Sequence, residues 1–122
     1  MTGATLNTFD FARFRDAVEG RDSETQLAMY APDATMMVVD RVTPPGAPRL
    51  LRGKGEIRGW IEDISARDMT HAVRHSVEDE HGAAFTEACR YADGTGVMCA
   101  TVLKLADGLI VDQTVLQAWD ES

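Results

Sequence analysis

Three side chains in this sequence are suited to moving a proton inside a protein: Glu87, His71 and Asp40. Glu87 lies in Phe85-Thr-Glu-Ala-Cys89, where every second position is otherwise apolar. A carboxylate in an apolar cavity has its charged form disfavoured, which suits it to acid–base work near neutral pH. His71 comes early in Met69-Thr-His-Ala-Val-Arg-His75. Imidazole titrates in the physiological range, and a neighbouring carboxylate would hold its orientation. Asp40 follows Val38 by two residues and so shares its strand face. Each has a structural alternative. Glu87 could sit at a sheet rim or pair with His71 or an arginine. His71 could be a hydrogen-bonded structural histidine. Asp40 could be a solvated strand end beside a proline loop. His75 and His81 read as exposed.

Thr101 and Gln113 can hydrogen-bond a carbonyl or hydroxyl, but neither is a useful base; if buried they need partners in any case. Cys89 and Cys99 read as small core residues, since a nucleophilic thiol needs an electropositive setting and Glu87 is close in sequence. A disulfide between them is conceivable but not expected in a reducing cytoplasm. No metal is expected: the histidines at 71, 75 and 81 lack a second ligand cluster, and the 71/75 spacing suits zinc only on a helix. There is no phosphate loop, no dinucleotide glycine motif and no Ser-His-Asp pattern, so no cofactor is expected.

The elements that must position these groups follow from hydrophobic period. Phe11, Phe14 and Val18 form one helical stripe, with Thr8 as N-cap and Gly20 as stop. Asp22 or Ser23 caps a second helix running through Leu27 and Tyr30, which Pro32 ends. Ala34 to Val42 reads as a strand, and Thr43-Pro-Pro-Gly-Ala-Pro48 as irregular. A short strand at Arg49–Arg52 is broken by Gly53. Lys54 to Arg67 is predicted as a third helix, with Ile57, Trp60, Ile61 and Ile64 on its apolar stripe. The period then changes to two, and four strands follow near 69–79, 84–92, 96–105 and 109–119.

Two Ala-Asp-Gly turns set the faces of the last strands. A three-residue loop ending in a left-handed glycine pairs Tyr91 with Thr95 and Leu105 with Leu109. One face then carries Phe85, Glu87, Cys89, Tyr91, Val97, Cys99, Thr101, Leu103, Val111, Gln113, Val115 and Gln117. It is mainly apolar with a few polar groups, as a small-molecule cavity is. The other face has an apolar centre of Met98, Ala100, Val102, Ile110 and Leu116, which suits a homodimer contact. A two-residue Asp-Gly loop would shift the register and mix the two sets.

The 122 residues, with 44% hydrophobic and 26% charged, fit one globular domain over 1–122 with its core at about 8–120. A net charge of −8 without a basic cluster argues against nucleic acid and anionic membranes as partners. Residues 1–7 show no secretory signal, no apolar run reaches the roughly 20 residues of a membrane span, and two cysteines suit a reducing cytoplasm.

Leu27-Ala-Met-Tyr-Ala-Pro-Asp-Ala-Thr35, Gly53 opening a helix with Ile57 and Trp60, the two Asp-Gly hairpins and Gly108-Leu-Ile-Val111 resemble the SnoaL-like (nuclear transport factor 2-like) group. The likeness extends from about Phe9 to Asp120. It implies an α+β cone-shaped roll of cystatin-like type, with three helices from the N-terminal half packed in the concavity of a curved, mostly antiparallel sheet. It also implies a pocket lined by Phe14, Tyr30, Val38, Trp60, Glu87, Cys99, Thr101 and Gln113. The ketosteroid isomerase residues do not carry over: their tyrosine falls on Phe14, their base on Val38 and their protonated aspartate on Thr101. The cyclase-type aspartate falls on Val115. The resemblance therefore implies a binder of small apolar ligands. It is either a cofactor-independent isomerase, lyase or cyclase acting through Glu87 and His71 on a carbonyl or hydroxyl compound, or a non-catalytic dimeric accessory domain.

Overall fold

Helix α1 (Phe11–Glu19) buries Phe11, Phe14 and Ala17, and Asp10 caps it by accepting from Arg13 N at 3.0 Å. The cap expected at Thr8 thus falls two residues later, where a carboxylate reaches the free N–H groups of the first turn. The structure, a computed structural model, describes residues 8–121; the segment read for a secretory signal, residues 1–7, lies outside them. Among the described residues no helix is long and apolar enough to cross a membrane.

Helix α2 (Ser23–Leu27) is capped by Asp22 and stops at Leu27. The expectation that it runs through Tyr30 is corrected: Tyr30 opens strand β1 (Tyr30–Val39), and Pro32 lies within that strand. The β1 ladder shifts register between Tyr30 and Thr35, so the N–H that Pro32 lacks is not needed there. Strand β1 also ends at Val39 rather than Val42. The Asp40 carboxylate accepts from Val42 N and Thr43 N, both at 2.9 Å, and turns the chain.

Strand β2 (Arg49–Arg52) leads into helix α3 (Gly53–Ser65), which buries Ile57 and Ile61. Gly53 sits at φ +85°, a conformation open to glycine at the strand-to-helix corner. Strands β3 (Met69–Glu78), β4 (Gly82–Tyr91), β5 (Gly96–Ala106) and β6 (Leu109–Trp119) complete a six-stranded sheet in the order β2-β1-β6-β5-β4-β3. Among the described residues only the β1/β6 pair is parallel. The sheet curves without closing, giving the expected α+β cone. Phe11 and Phe14 meet Phe85 of β4 edge-on at 5.6 and 6.1 Å, which seats α1 in the concavity.

The first Ala-Asp-Gly turn forms as predicted: Tyr91 N donates to Thr95 O, and Gly94 takes φ +94°. The second does not. Asp107 (φ +53°) and Gly108 (φ +77°) make a two-residue turn that pairs Ala106 with Leu109 and Leu105 with Ile110. The ladder then slips between Lys104 and Leu105, so Lys104 faces Asp112. The shorter loop and the slip cancel in parity, and residues from Asp112 onward keep the predicted faces. Ile110, assigned to the outer face, is instead fully buried in the core. Met98, Val102 and Leu116 are exposed on that outer face.

Candidate active site in the cone

The β3/β4 ladder places His71 opposite Cys89, and the β4/β5 ladder places Glu87 opposite Cys99. Glu87 and Cys89 are two residues apart and point the same way, so three polar side chains converge inside the cone. His71 Nδ1 lies 2.6 Å from Glu87 Oε2, with the two side chains only 5% and 13% exposed. The Cys89 thiol donates to the same Glu87 oxygen at 3.0 Å, and its sulfur is 3.3 Å from His71 Nδ1. An ionised carboxylate only accepts, so the hydrogen-bond network assigns the imidazole proton to Nδ1. Nε2 has no hydrogen bond among the described residues, yet it is not sealed from solvent, so it opens on the cavity with its lone pair.

A second polar pair lies deeper. The Tyr30 hydroxyl donates to Gln113 Oε1 at 2.5 Å, and both side chains are buried. Burial pushes the Tyr30 phenol well above its ordinary value, against the bond to Gln113, so it stays a donor and not a base. The Thr101 hydroxyl is free of hydrogen bonds among the described residues and is likewise open to the cavity. A hydrogen bond with Cys99, then desolvation by burial and the Glu87 charge, drive the Cys89 thiol far up. Cys89 is therefore a protonated thiol, not a nucleophile.

The cavity between these groups measures about 80 Å³. At roughly 10–15 Å³ of such space per water, it admits a compact organic molecule or several waters. Phe14, Tyr30, Trp60, His71, Glu87, Cys99, Thr101 and Gln113 all line it. Two expected site residues do not. Val38 is wholly buried in the core, between Arg49 and Val115 in the ladders, and is not on the cavity wall. Asp40 is taken up by its turn and also lies off the wall. Hydrogen bonds from Val42 and Thr43 outweigh its partial burial and hold its carboxyl below the usual range.

Sequence reasoning did not find the exposed end of the cavity. Arg21 and Arg67 line it, and Arg67 donates to the Tyr91 hydroxyl at 2.8 Å and to Asp63 at 2.6 Å. Arg21 donates to the Arg67 carbonyl and stands at φ +55°. Tyr91 stacks on Trp119 at 5.6 Å, and the Arg41 guanidinium caps Trp119 at 4.1 Å. Alternation marks Tyr91 as inward, but no periodicity marks Arg21, Arg41 or Arg67, because the lip is assembled from the α1–α2 turn, the segments just after α3 and β1, and the ends of β4 and β6.

An open cone with a mainly apolar cavity and a part-buried histidine–carboxylate pair is the plan of a small-molecule pocket protein. The chain belongs to the SnoaL-like domain family, whose profile matches residues 11–113. Solved structures of the same fold include an NTF2-like protein of unknown function from Mesorhizobium loti. It is 16% identical, with 88% of this chain and 87% of that chain covered and a TM-score of 0.76. A candidate ketosteroid isomerase from Kribbella flavida is 20% identical, covering 92% and 76% respectively at a TM-score of 0.72. A candidate polyketide cyclase from Sinorhizobium meliloti is 20% identical, covering 86% and 91% at a TM-score of 0.66. At these identities the likeness concerns the fold. No curated protein sequence matches the chain.

Proposed function

We propose that this SnoaL-like protein is a cofactor-independent isomerase, lyase or cyclase that performs acid–base chemistry on a small, mainly apolar carbonyl or hydroxyl compound. The observation that carries the proposal is the 2.6 Å contact between His71 Nδ1 and Glu87 Oε2 inside the cavity. Glu87 fixes the tautomer, and Nε2 takes a proton from a carbon or hydroxyl of the bound compound. The carboxylate then stabilises the imidazolium until the proton is returned at another atom. Thr101 and the amide of Gln113 orient the substrate oxygen, while Phe14 and Trp60 exclude water. The relatives described as an isomerase and a cyclase are consistent with this class of reaction.

A second reading, a non-catalytic dimer that holds a ligand, is favoured by Phe14, Val38 and Thr101, onto which the family resemblance carries the acid and base of ketosteroid isomerases. In either reading Met98, Val102 and Leu116 form the homodimer contact, and two free cysteines suit the cytoplasm. A thermal-shift screen of small ketones, lactones and apolar acids, followed by NMR in D₂O, tests the proposal. Exchange or conversion of a stabilising ketone, lost in Glu87→Gln and His71→Ala, supports catalysis. Ligands that stabilise but are never exchanged or converted overturn it in favour of the binding reading.

A further inference from the structure

Cys89 has no part in the proton-transfer reading, yet its sulfur is held against both polar atoms of the dyad. From this convergence we infer that His71 Nδ1, Glu87 Oε2 and Cys89 Sγ form a binding site for one zinc-class divalent cation, with its fourth coordination position facing the cavity.

The three atoms come from neighbouring strands whose backbones are locked in ladders. His71 stands directly opposite Cys89, and β4 is paired on both sides. Their separations are 2.6, 3.0 and 3.3 Å. Tetrahedral zinc, with metal–ligand bonds of about 2.0–2.3 Å, needs its ligand atoms roughly 3.3–3.7 Å apart. Spreading the three by less than about 1 Å, through small side-chain rotations, satisfies this without moving a strand. Imidazole, thiolate and a single carboxylate oxygen select zinc or cobalt, whereas magnesium and calcium take oxygen ligands. The site is desolvated, so a neutral assembly is favoured, and one dication with one thiolate and one carboxylate is neutral.

The proton balance is closed. The imidazole proton moves from Nδ1 to Nε2, which faces the cavity, and the thiol proton leaves to solvent, so one proton is released per cation bound. Nothing is oxidised or reduced. The protonated state of the free thiol does not oppose this, because a bound cation deprotonates a coordinating thiol. Helix and Cys-x-x-Cys spacing rules miss such a site because its ligands are related by strand pairing.

The cation takes the two atoms that form the dyad hydrogen bond, so occupancy and that bond exclude one another. The inference therefore does not rest on the catalytic reading. Chelator-treated protein titrated with Co²⁺ tests it without any turnover. The expected result is one Co²⁺ per chain with a near-ultraviolet sulfur-to-cobalt charge-transfer band that Zn²⁺ bleaches. The band is retained in Cys99→Ser, lost in Cys89→Ser, and Glu87→Gln binds about tenfold or more weakly. No band in the wild-type protein, or a band that survives Cys89→Ser, overturns the site. If Cys89→Ser does not fold, X-ray absorption of the zinc-loaded wild-type protein decides instead: one sulfur neighbour supports the site and none overturns it.

Discussion

Glu87 Oε2 accepts from two donors at once, His71 Nδ1 at 2.6 Å and Cys89 Sγ at 3.0 Å, so this one oxygen ties neighbouring strands together inside the cavity. Replacing Glu87 with glutamine turns a charged acceptor into a neutral amide and frees the imidazole tautomer. For any substrate the screen yields, kcat should fall by about 10²–10⁴ in Glu87→Gln, with KM little changed. Steady-state kinetics measure this, and an unaltered kcat removes Glu87 from the mechanism.

The Cys89 thiol should be slow to alkylate at pH 7, because Cys99, burial and Glu87 all hold it protonated. Its folded value lies above the unfolded one. Its contribution to stability is thus present below about pH 8.5, the ordinary thiol value, and declines as pH rises toward the folded value. Iodoacetamide kinetics read by mass spectrometry check the first part, and urea midpoints between pH 7 and 10 the second. Rapid labelling at pH 7 contradicts this account of the thiol.

Tyr30→Phe should destabilise the fold by about 1–3 kcal/mol, since it leaves Gln113 Oε1 buried without its donor. A Tyr30→Phe, Gln113→Leu double variant should recover part of that loss. Chemical denaturation gives both values, and strict additivity of the two changes would sink the coupling.

Asp40 acts through its turn. Asp40→Ala should cost about 1 kcal/mol at pH 7, a modest figure for partly screened hydrogen bonds, and leave ligand affinity unchanged. Its folded value is depressed, so the stabilisation is present above about pH 3.9 and is lost as pH falls through the folded value. A measurable loss of ligand binding in Asp40→Ala would return it to the site.

Met98, Val102 and Leu116 are 50%, 57% and 47% exposed on one sheet face. Light scattering should give a dimer for the wild-type protein at micromolar concentration and a monomer for Met98→Glu, Leu116→Glu. A wild-type monomer would contradict the proposed contact.

Much of this was legible because hydrophobic period is local. The bounds of Leu109–Trp119 were readable, since a period of two follows the Asp-Gly turn, although alternation breaks at Ile110, which is buried. The stripe Ile57, Trp60, Ile61, Ile64 marked α3 in the same way. Near Tyr30 the period was ambiguous, and a proline that reads as a helix end was absorbed by a ladder irregularity. The carboxylate of Asp10 displaced Thr8 as a cap by two residues, a choice that chain geometry makes.

By itself the sequence determined that Glu87 shares a face with Cys89, and Cys99 with Thr101, because side chains alternate along any strand whatever its partner; Gln113 kept its expected face only because the ladder slip offset the shorter turn. Only the tertiary structure decided which of them touch. Contact depends on register between strands, and here a two-residue turn and a compensating slip set that register. It also decided that Val38 is core and Asp40 a turn, since curvature of the sheet, absent from any local pattern, selects the inward positions that reach the open space.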